Sequence, residues 1–371
     1  MRNCRPPGCC VPTRLILLVA ACSEPPPWRG VPEILLTHEL QIGGAEEGPF
    51  SFSDVRSLAV DASGRVYVLE AAEQEVRVFD SGGHFMARLG RRGAGPGEFH
   101  NANGLALDPQ DRLWVYDPGN NRVTIFDSAG HLHRTVPLRI NSYGYVWVGG
   151  LDALGRLYDE QIVRVDSGPA MRLRRADFSS GREDTLPWPR CGASRPASFK
   201  FPRGVMRVPY ASGEYLRFDH RGYAWCADTR ILQLSQYRLG DSVPVRVLRA
   251  AAEPAVVTAA ERDSAVERAN AFMAKAGTAS LDFSLIPQTK PLLQAIDFDD
   301  QGRVWVRADT KFGPRAIVFD GSGNLIGQAT LAVIPVGWTP LIIRRGRLHA
   351  VVSDSLGVPT VAVLRVAFST P

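Results

Sequence analysis

Residues Asp108 to Gly130 read DPQDRLWVYDPGNNRVTIFDSAG, four aspartates and two asparagines in 23 residues. Acids at that density suggest a calcium loop. An EF-hand, however, sets oxygen ligands at positions 1, 3, 5, 7, 9 and 12 around a central glycine and ends on glutamate, and here Leu113, Trp114 and Val115 interrupt the series. The spacing has another cause. Asp61 to Gly83, DASGRVYVLEAAEQEVRVFDSGG, aligns with the stretch without a gap 47 residues upstream, so the acids belong to a repeat.

The same phrase returns as DALGRLYDE from Asp152, DHRGYAWCAD from Asp219, DDQGRVWVRAD from Asp299 and, weakly, RRGRLHAVVSD from Arg344. In each copy an alternating apolar run ends at an Asp-x-x-Gly turn. A second run follows, and a third ends at another turn such as Phe79-Asp80, Phe126-Asp127 or Phe319-Asp320. Alternation over short runs predicts half-buried strands. Asp accepts a hydrogen bond from the backbone two residues on, and Gly relaxes into positive φ, so most of these acids read as turn punctuation. Six copies of four strands at a period of roughly 40 to 50 residues predict an all-β, six-bladed β-propeller, in which no blade buries its faces alone. That overrides the two or three domains a chain of 371 residues with 45% apolar content would otherwise suggest.

Arg2, Arg5 and Arg14 precede a short apolar run, and the uncharged stretch after Arg14 stops at Glu24, short of the ~20 residues a membrane span requires. Within it Val19-Ala20-Ala21-Cys22 resembles the lipobox of bacterial lipoproteins. The resemblance implies cleavage before Cys22, a lipid thioether on its sulfur and acylation, for instance by palmitate, of the new amino terminus. Ser23, in a place where Asp would imply retention at the inner membrane, favours the outer membrane. Residues 1–21 are then a signal peptide, 22–33 a Pro-rich tether and 34–371 the propeller; a plain secretory signal with an incidental Cys22 is the alternative. Processing removes three arginines and no acid, which lowers the formal charge from +5 to +2, so the basic composition gives no argument for nucleic acid. Cys4, Cys9 and Cys10 leave with the signal. Cys191 and Cys226 remain, either as a disulfide in an oxidising envelope or as two buried thiols.

ILLTHELQIGG from Ile34 parallels the fourth-strand segment HFMARLG of the first copy, yet no blade precedes it. The last copy has the opposite defect, with strands near 341–345, 347–353 and 360–367 before the chain ends. Residues 34–42 are therefore expected to complete blade six and pair two otherwise open edges. On GRRGAGPGEF, GRVYV, DRLWVYD, GRVWV and the FDSGG and FDSAG turns, the chain is similar to bacterial six-bladed β-propeller lipoproteins of the NHL-repeat type over about residues 34–368. The resemblance implies a fold and a surface that binds; it implies no reaction.

GAGPGEF from Gly93 leads into a strand, unlike a phosphate loop, and the chain holds no G-x-S-x-G, no H-E-x-x-H and no pair of Cys-x-x-Cys. Propellers that cleave hydroxyglycine peptides place histidines on several blades around the axis, whereas the seven histidines here occupy mostly non-equivalent repeat positions. Asn101, Asn103, Asn120 and Asn121 match part of the calcium set of gluconolactonase-like and paraoxonase-like propellers, but from one blade region only. No catalytic residue, metal or cofactor is assigned. The leading expectation is a monomeric, membrane-tethered, non-catalytic module for a glycan, peptide or envelope protein. The alternative is a metal-dependent hydrolase or lyase of the gluconolactonase, paraoxonase or hydroxyglycine-lyase propeller type.

Insertions localise the candidate surface. Steps between equivalent turns are 47, 44, 67 and 80 residues from Asp61 to Asp299, so two crossovers carry extra segments of roughly 25 and 35 residues. The first, about 186–213, holds Arg190, Arg195, Lys200, Arg203 and Arg207 interleaved with Phe199, Phe201 and Tyr210. The second predicts a helix over 259–276, with a Thr258/Glu261 capping box, an apolar face of Val266, Ala269, Met273 and Ala276, and Gly277 as its stop. If the crossover face binds ligand, Arg203, Arg207 and Tyr210 should converge with Arg56, His100, Asn103, Lys290 and Trp338. Guanidinium forks and aromatic faces at such a site suit an anionic or sugar-like ligand.

Overall fold

The computed structural model describes residues 30–369 except 46, 140–145, 148, 167, 190, 193–195, 202–203, 277–280, 337–338 and 355. Within them lie six four-stranded antiparallel sheets. Blade one comprises Val55–Val60, Val66–Glu70, Glu75–Phe79 and Phe85–Leu89, and blade two Gly104–Leu107, Leu113–Asp117, Arg122–Phe126 and Leu132–Pro137. Blade three is built from Gly150–Leu151, Leu157–Val165, Gly168–Asp177 and Arg182–Leu186, and blade four from Glu214–Phe218, Tyr223–Asp228, Gln233–Arg238 and Arg246–Arg249. Blade five comprises Leu293–Phe298, Val304–Thr310, Gly313–Phe319 and Leu325–Thr330. In blade six, Ile342–Arg344, Arg347–Ser353 and Pro359–Phe368 receive the N-terminal strand Ile34–Ile42 as their fourth member. That strand runs in register from Ile34 opposite Phe368 to Ile42 opposite Val361. The chain is a six-bladed β-propeller whose ring is closed by its own beginning.

The Asp-x-x-Gly repeat has a definite mechanical role. Asp61 Oδ1 accepts the backbone N–H of Ser63 and of Arg65, while Oδ2 accepts the Arg65 guanidinium and the Tyr67 hydroxyl. Asp108, Asp152 and Asp299 repeat all four bonds, each ending on the ring six residues on: Trp114 Nε1 at 2.9 Å, Tyr158 OH at 2.9 Å and Trp305 Nε1 at 2.9 Å. Asp219 does the same for Trp225 but has Tyr223 where the others have arginine. One carboxylate thus fixes a turn and pins the aromatic ring that fills the next inter-blade layer.

The alternation has a different meaning from the half-buried strands the sequence suggests. Val66–Glu70 is buried at every position: Val66 and Val68 pack towards blade six with Ile42, Val351 and Val361, while Tyr67 and Leu69 pack towards blade two with Leu105, Leu113 and Val115. The two faces of a middle strand belong to two interfaces. Equivalent clusters lie between the other neighbouring blades, and burial of this apolar surface, at roughly 25 cal/mol per Å², is what holds the ring together. Exposure is confined largely to outer strands such as Leu132–Pro137.

Turns joining first to second and third to fourth strands share one end of the ring, the turn face. Crossovers occupy the other. Both insertions lie on the crossover face and form one small unit. The hairpin Ser198–Phe201 with Gly204–Arg207 packs on the helix Ala259–Ala276 through Phe199, Met206, Tyr210, Val266, Leu281, Phe283 and Ile286. The capping box is present: Thr258 N–H donates to Glu261 Oε2 at 3.0 Å, and Glu261 N–H donates to Thr258 Oγ1 at 3.3 Å. Ala265, Ala269 and Met273 are buried; Gly277 lies outside the described residues. Cys191 and Cys226 form a disulfide with Cα atoms 5.2 Å apart, fastening the first insertion to the second strand of blade four.

Candidate functional site

Among the described residues, three recesses on the ring bear on function. On the crossover face Arg207, Tyr210 and Lys290 come together in one of about 480 Å³, with Tyr215, Gln294 and Asp309. Their charges are already engaged. The Arg207 guanidinium donates to Ala211 O at 2.6 Å, and burial holds its pKa below the ordinary arginine value. Lys290 Nζ lies 2.6 Å from Glu261 Oε1 and 3.4 Å from Asp309 Oδ2, and its hydrogen bond brings the Glu261 carboxyl down to about 2. Phe199, 2% exposed, meets Phe283 edge-on, and Phe201 meets Phe272 in the same way. Phe199 and Phe283 belong to the core of the insertion unit, while Phe201 is half-buried against the exposed Phe272. Arg56, His100 and Asn103 do not line this recess. Arg56 pairs with Asp54 at 2.9 Å, His100 is exposed with its backbone N–H on Asp117, and Asn103 is buried. Arg203 and Trp338 lie outside the described residues.

The axis holds the second recess. Its turn-face mouth, about 480 Å³, is lined by first strands of several blades with His220, Asp300 and Arg344; its crossover mouth, about 190 Å³, carries Arg56, Trp147, Arg217 and Asp297. Leu105, Phe298 and Ile342 line both and form an apolar waist. Asp108, Asp152 and Asp299 reach this channel, but both oxygens of each accept the turn bonds described above, which leaves them poor donors for an axial cation. Away from the axis, Asp159 of blade three accepts Tyr116 OH at 2.5 Å and Arg174 at 2.6 Å. Burial, and next the charge of Asp159, push the neighbouring Glu160 up to about 7.

The third recess is where the repeat breaks. Blade six has Ile343 in the place of the repeated aspartate, so Arg347 and His349, which stand where the other blades have arginine and the pinned ring, lack their usual acceptor. A cleft of about 530 Å³ opens there on the turn face, between blades six and one, lined by Arg344, Arg345, Arg347, Arg365, Glu39 and His349 together with Ser63, Gly64 and Ser81. Arg347 turns to the closing strand instead: Nε lies 2.9 Å from Glu39 Oε2 and NH2 2.7 Å from Oε1, while NH1 donates to Ser81 O at 2.9 Å. Arg365 reaches the same carboxylate at 3.3 Å. The Arg347 bond, chiefly, holds Glu39 below the usual carboxylate range. The Arg344 and Arg345 guanidiniums donate to the carbonyls of Val60 and Ala62, at 2.8 and 2.6 Å, and neither guanidinium meets a carboxylate among the described residues, although the Arg345 backbone N–H donates to Asp300 Oδ2 at 2.8 Å. Burial pushes His349 down to about 4, so it stands neutral, with Nδ1 3.2 Å from Ile342 O. Four guanidiniums therefore face one carboxylate. The signal for this cleft is present in RRGRLH, as the missing acid, but Glu39 and Ser81 are invisible to any local inspection of it.

Residues 50–144 match a family model described as 6-bladed beta-propeller. No curated protein matches the chain significantly. Among solved structures, a protein of Bacteroides fragilis NCTC 9343 described as exported is 10% identical, with 91% of this chain and 96% of that one covered at a TM-score of 0.51. Virginiamycin B lyase from Staphylococcus aureus is 9% identical over 90% of this chain and 99% of that one, TM-score 0.47. A gluconolactonase of Xanthomonas campestris is 14% identical over 90% and 89%, TM-score 0.45. At these identities the likeness is one of fold. No helix of the described residues is long and apolar enough to cross a membrane.

Proposed function

We propose that this protein is a lipid-anchored propeller of the bacterial cell envelope that binds, rather than transforms, a carboxylate- or phosphate-bearing ligand such as an acidic glycan or peptide. The observation that carries this reading is the pair of Arg344 and Arg345 guanidiniums, which have no carboxylate partner among the described residues, in a cleft formed where Ile343 interrupts an otherwise repeated aspartate. Guanidinium forks match such anions geometrically and stay charged at every physiological pH. A metal-dependent reaction at the axis fits less well, because Asp108, Asp152 and Asp299 are consumed in turns, Asp297 is paired with Arg307 and Asp300 accepts the Arg345 backbone N–H.

Titration calorimetry with pyrophosphate and with citrate, on the chain beginning at Ser23, tests the reading. Binding should appear at 50 mM salt, weaken at 300 mM as exposed charge contacts are screened, and fall at least tenfold in Arg344→Glu/Arg345→Glu. Unaltered binding in that variant, or none in the native chain, rejects the cleft as an anion site.

A further inference from the structure

The register of blade six places the tether and the cleft at the same end of the ring. Strand Pro359–Phe368 sets Arg365 opposite Arg347 and ends at Phe368, which pairs with Ile34, the first residue of the closing strand. Arg344 and Arg347 close the hairpin at that end. The preceding residues stay there: Pro32 O accepts Gln328 N–H at 3.0 Å, and Glu33 bridges to Gln328 of blade five. The chain thus enters the propeller on the turn face, beside the arginine cleft and away from both insertions. Between Cys22 and the closing strand lie 11 residues, which reach at most about 40 Å when extended. A propeller held by a lipid on Cys22 is consequently held by its turn face, within a short distance of the bilayer.

We propose that the cleft docks on anionic phospholipid headgroups of the membrane that holds the tether, so that the turn face lies against the leaflet and the crossover face, with its insertion unit, points away. The proposal rests on the reading of the cleft as an anion site and on the lipid tether. A phosphodiester presents two oxygens to a guanidinium fork. Arg365, whose side chain is 69% exposed, and Arg347, at 31%, rim the cleft where headgroups would enter. The lipid holds the chain at the surface, and a basic patch facing that surface adds electrostatic attraction to anionic lipid and sets which face lies against it. On an anionic leaflet each basic residue contributes about a fivefold gain in partition.

Flotation of the unlipidated chain from Ser23, which keeps every strand, tests this with vesicles of phosphatidylcholine alone or with about a third phosphatidylglycerol. Capture should require phosphatidylglycerol and decline between 50 and 300 mM salt. It should drop at least tenfold in Arg344→Glu/Arg345→Glu and persist in Arg268→Glu/Lys275→Glu, which makes the same charge change on the exposed helix of the opposite face. Equal capture by both vesicle types, or equal loss in the two variants, overturns the proposal. Pyrophosphate binding without vesicle capture overturns it too, while leaving the anion cleft standing. Failure of both pyrophosphate and vesicles removes the cleft reading as well.

Discussion

Replacing Asp299 by alanine separates the mechanical account of the repeat from a merely decorative one. Asp299, 3% exposed, accepts the backbone N–H of Gln301 at 3.0 Å and of Arg303 at 2.9 Å, the Arg303 guanidinium, and Trp305 Nε1 at 2.9 Å. The two backbone donors lie in a turn that water reaches, so their loss is largely offset by solvent. Trp305 is fully buried, and its orphaned N–H costs about 1 to 3 kcal/mol. Arg303, 17% exposed, keeps its stack on Phe368 at 4.2 Å but loses its carboxylate, which adds about 1.5 to 3 kcal/mol. The sum is about 4 kcal/mol. Asp320 makes a similar set of turn bonds to Ser322 and Asn324 at the outer, solvated hairpin of the same blade, and Asp320→Ala should cost several-fold less. Urea unfolding followed by circular dichroism and tryptophan emission measures both. Equal losses would refute the claim that the inner aspartates act by satisfying buried rings, and a negligible loss at Asp299 would refute the account of the turn altogether.

Deleting residues 31–42 removes eight register pairs with strand Pro359–Phe368 and the buried side chains of Ile34 and Ile42; thermal unfolding should shift down by many degrees and the exposed strand edge should promote aggregation, whereas an unchanged melt would show that closure lies elsewhere. Acid and base should act in opposite directions on the buried His349 and the half-buried Glu160. With His349 at about 4 against an ordinary 6.5, the unfolded chain takes up a proton that the folded chain refuses, so stability falls as pH drops from 6.5 to about 4, by up to about 1.4 kcal/mol per unit. With Glu160 at about 7 against 4.5, the folded chain keeps a proton that the unfolded one releases, so stability falls as pH rises from 4.5 to about 7. The two slopes offset one another in the native protein. Glu160→Gln should uncover acid lability and His349→Phe the reverse, and melting curves between pH 4.5 and 7.5 that are parallel for all three proteins would contradict both assignments.

Repetition explains why the cleft stands out chemically. Five blades consume their arginines or tyrosine, their aromatic rings and their aspartates in the same local knot. Blade six takes one of its four strands from the N-terminal part of the chain, and its partner for Arg347 comes from that closing strand. The loss of one acid is tolerated because Glu39 takes its place with Arg347, and the Ile342 carbonyl accepts from the side chain that replaces the pinned ring. What remains is a surplus of positive charge at the seam of the propeller, where the chain also enters it.

Sequence alone determined the blade count, the closing strand at 34–42 and the helix at 259–276 with its capping box, because each is written in short-range periodicity, turn chemistry or an unmatched repeat element. It offered Cys191 and Cys226 as a possible pair, and only the structure shows them bonded. Tertiary structure decided which faces of the middle strands meet which blade, since alternation records that two sides differ and not what lies on them. It decided that Phe199 is core and that Phe201 meets the helix, because only the fold brings the two insertions into contact across roughly 70 to 80 residues of chain. Above all it decided the arginine cleft: Glu39 and Arg347 are 308 residues apart, and Arg344 and Val60 are 284 apart, so although the closing strand is legible in the sequence, which charges its closure brings together is not.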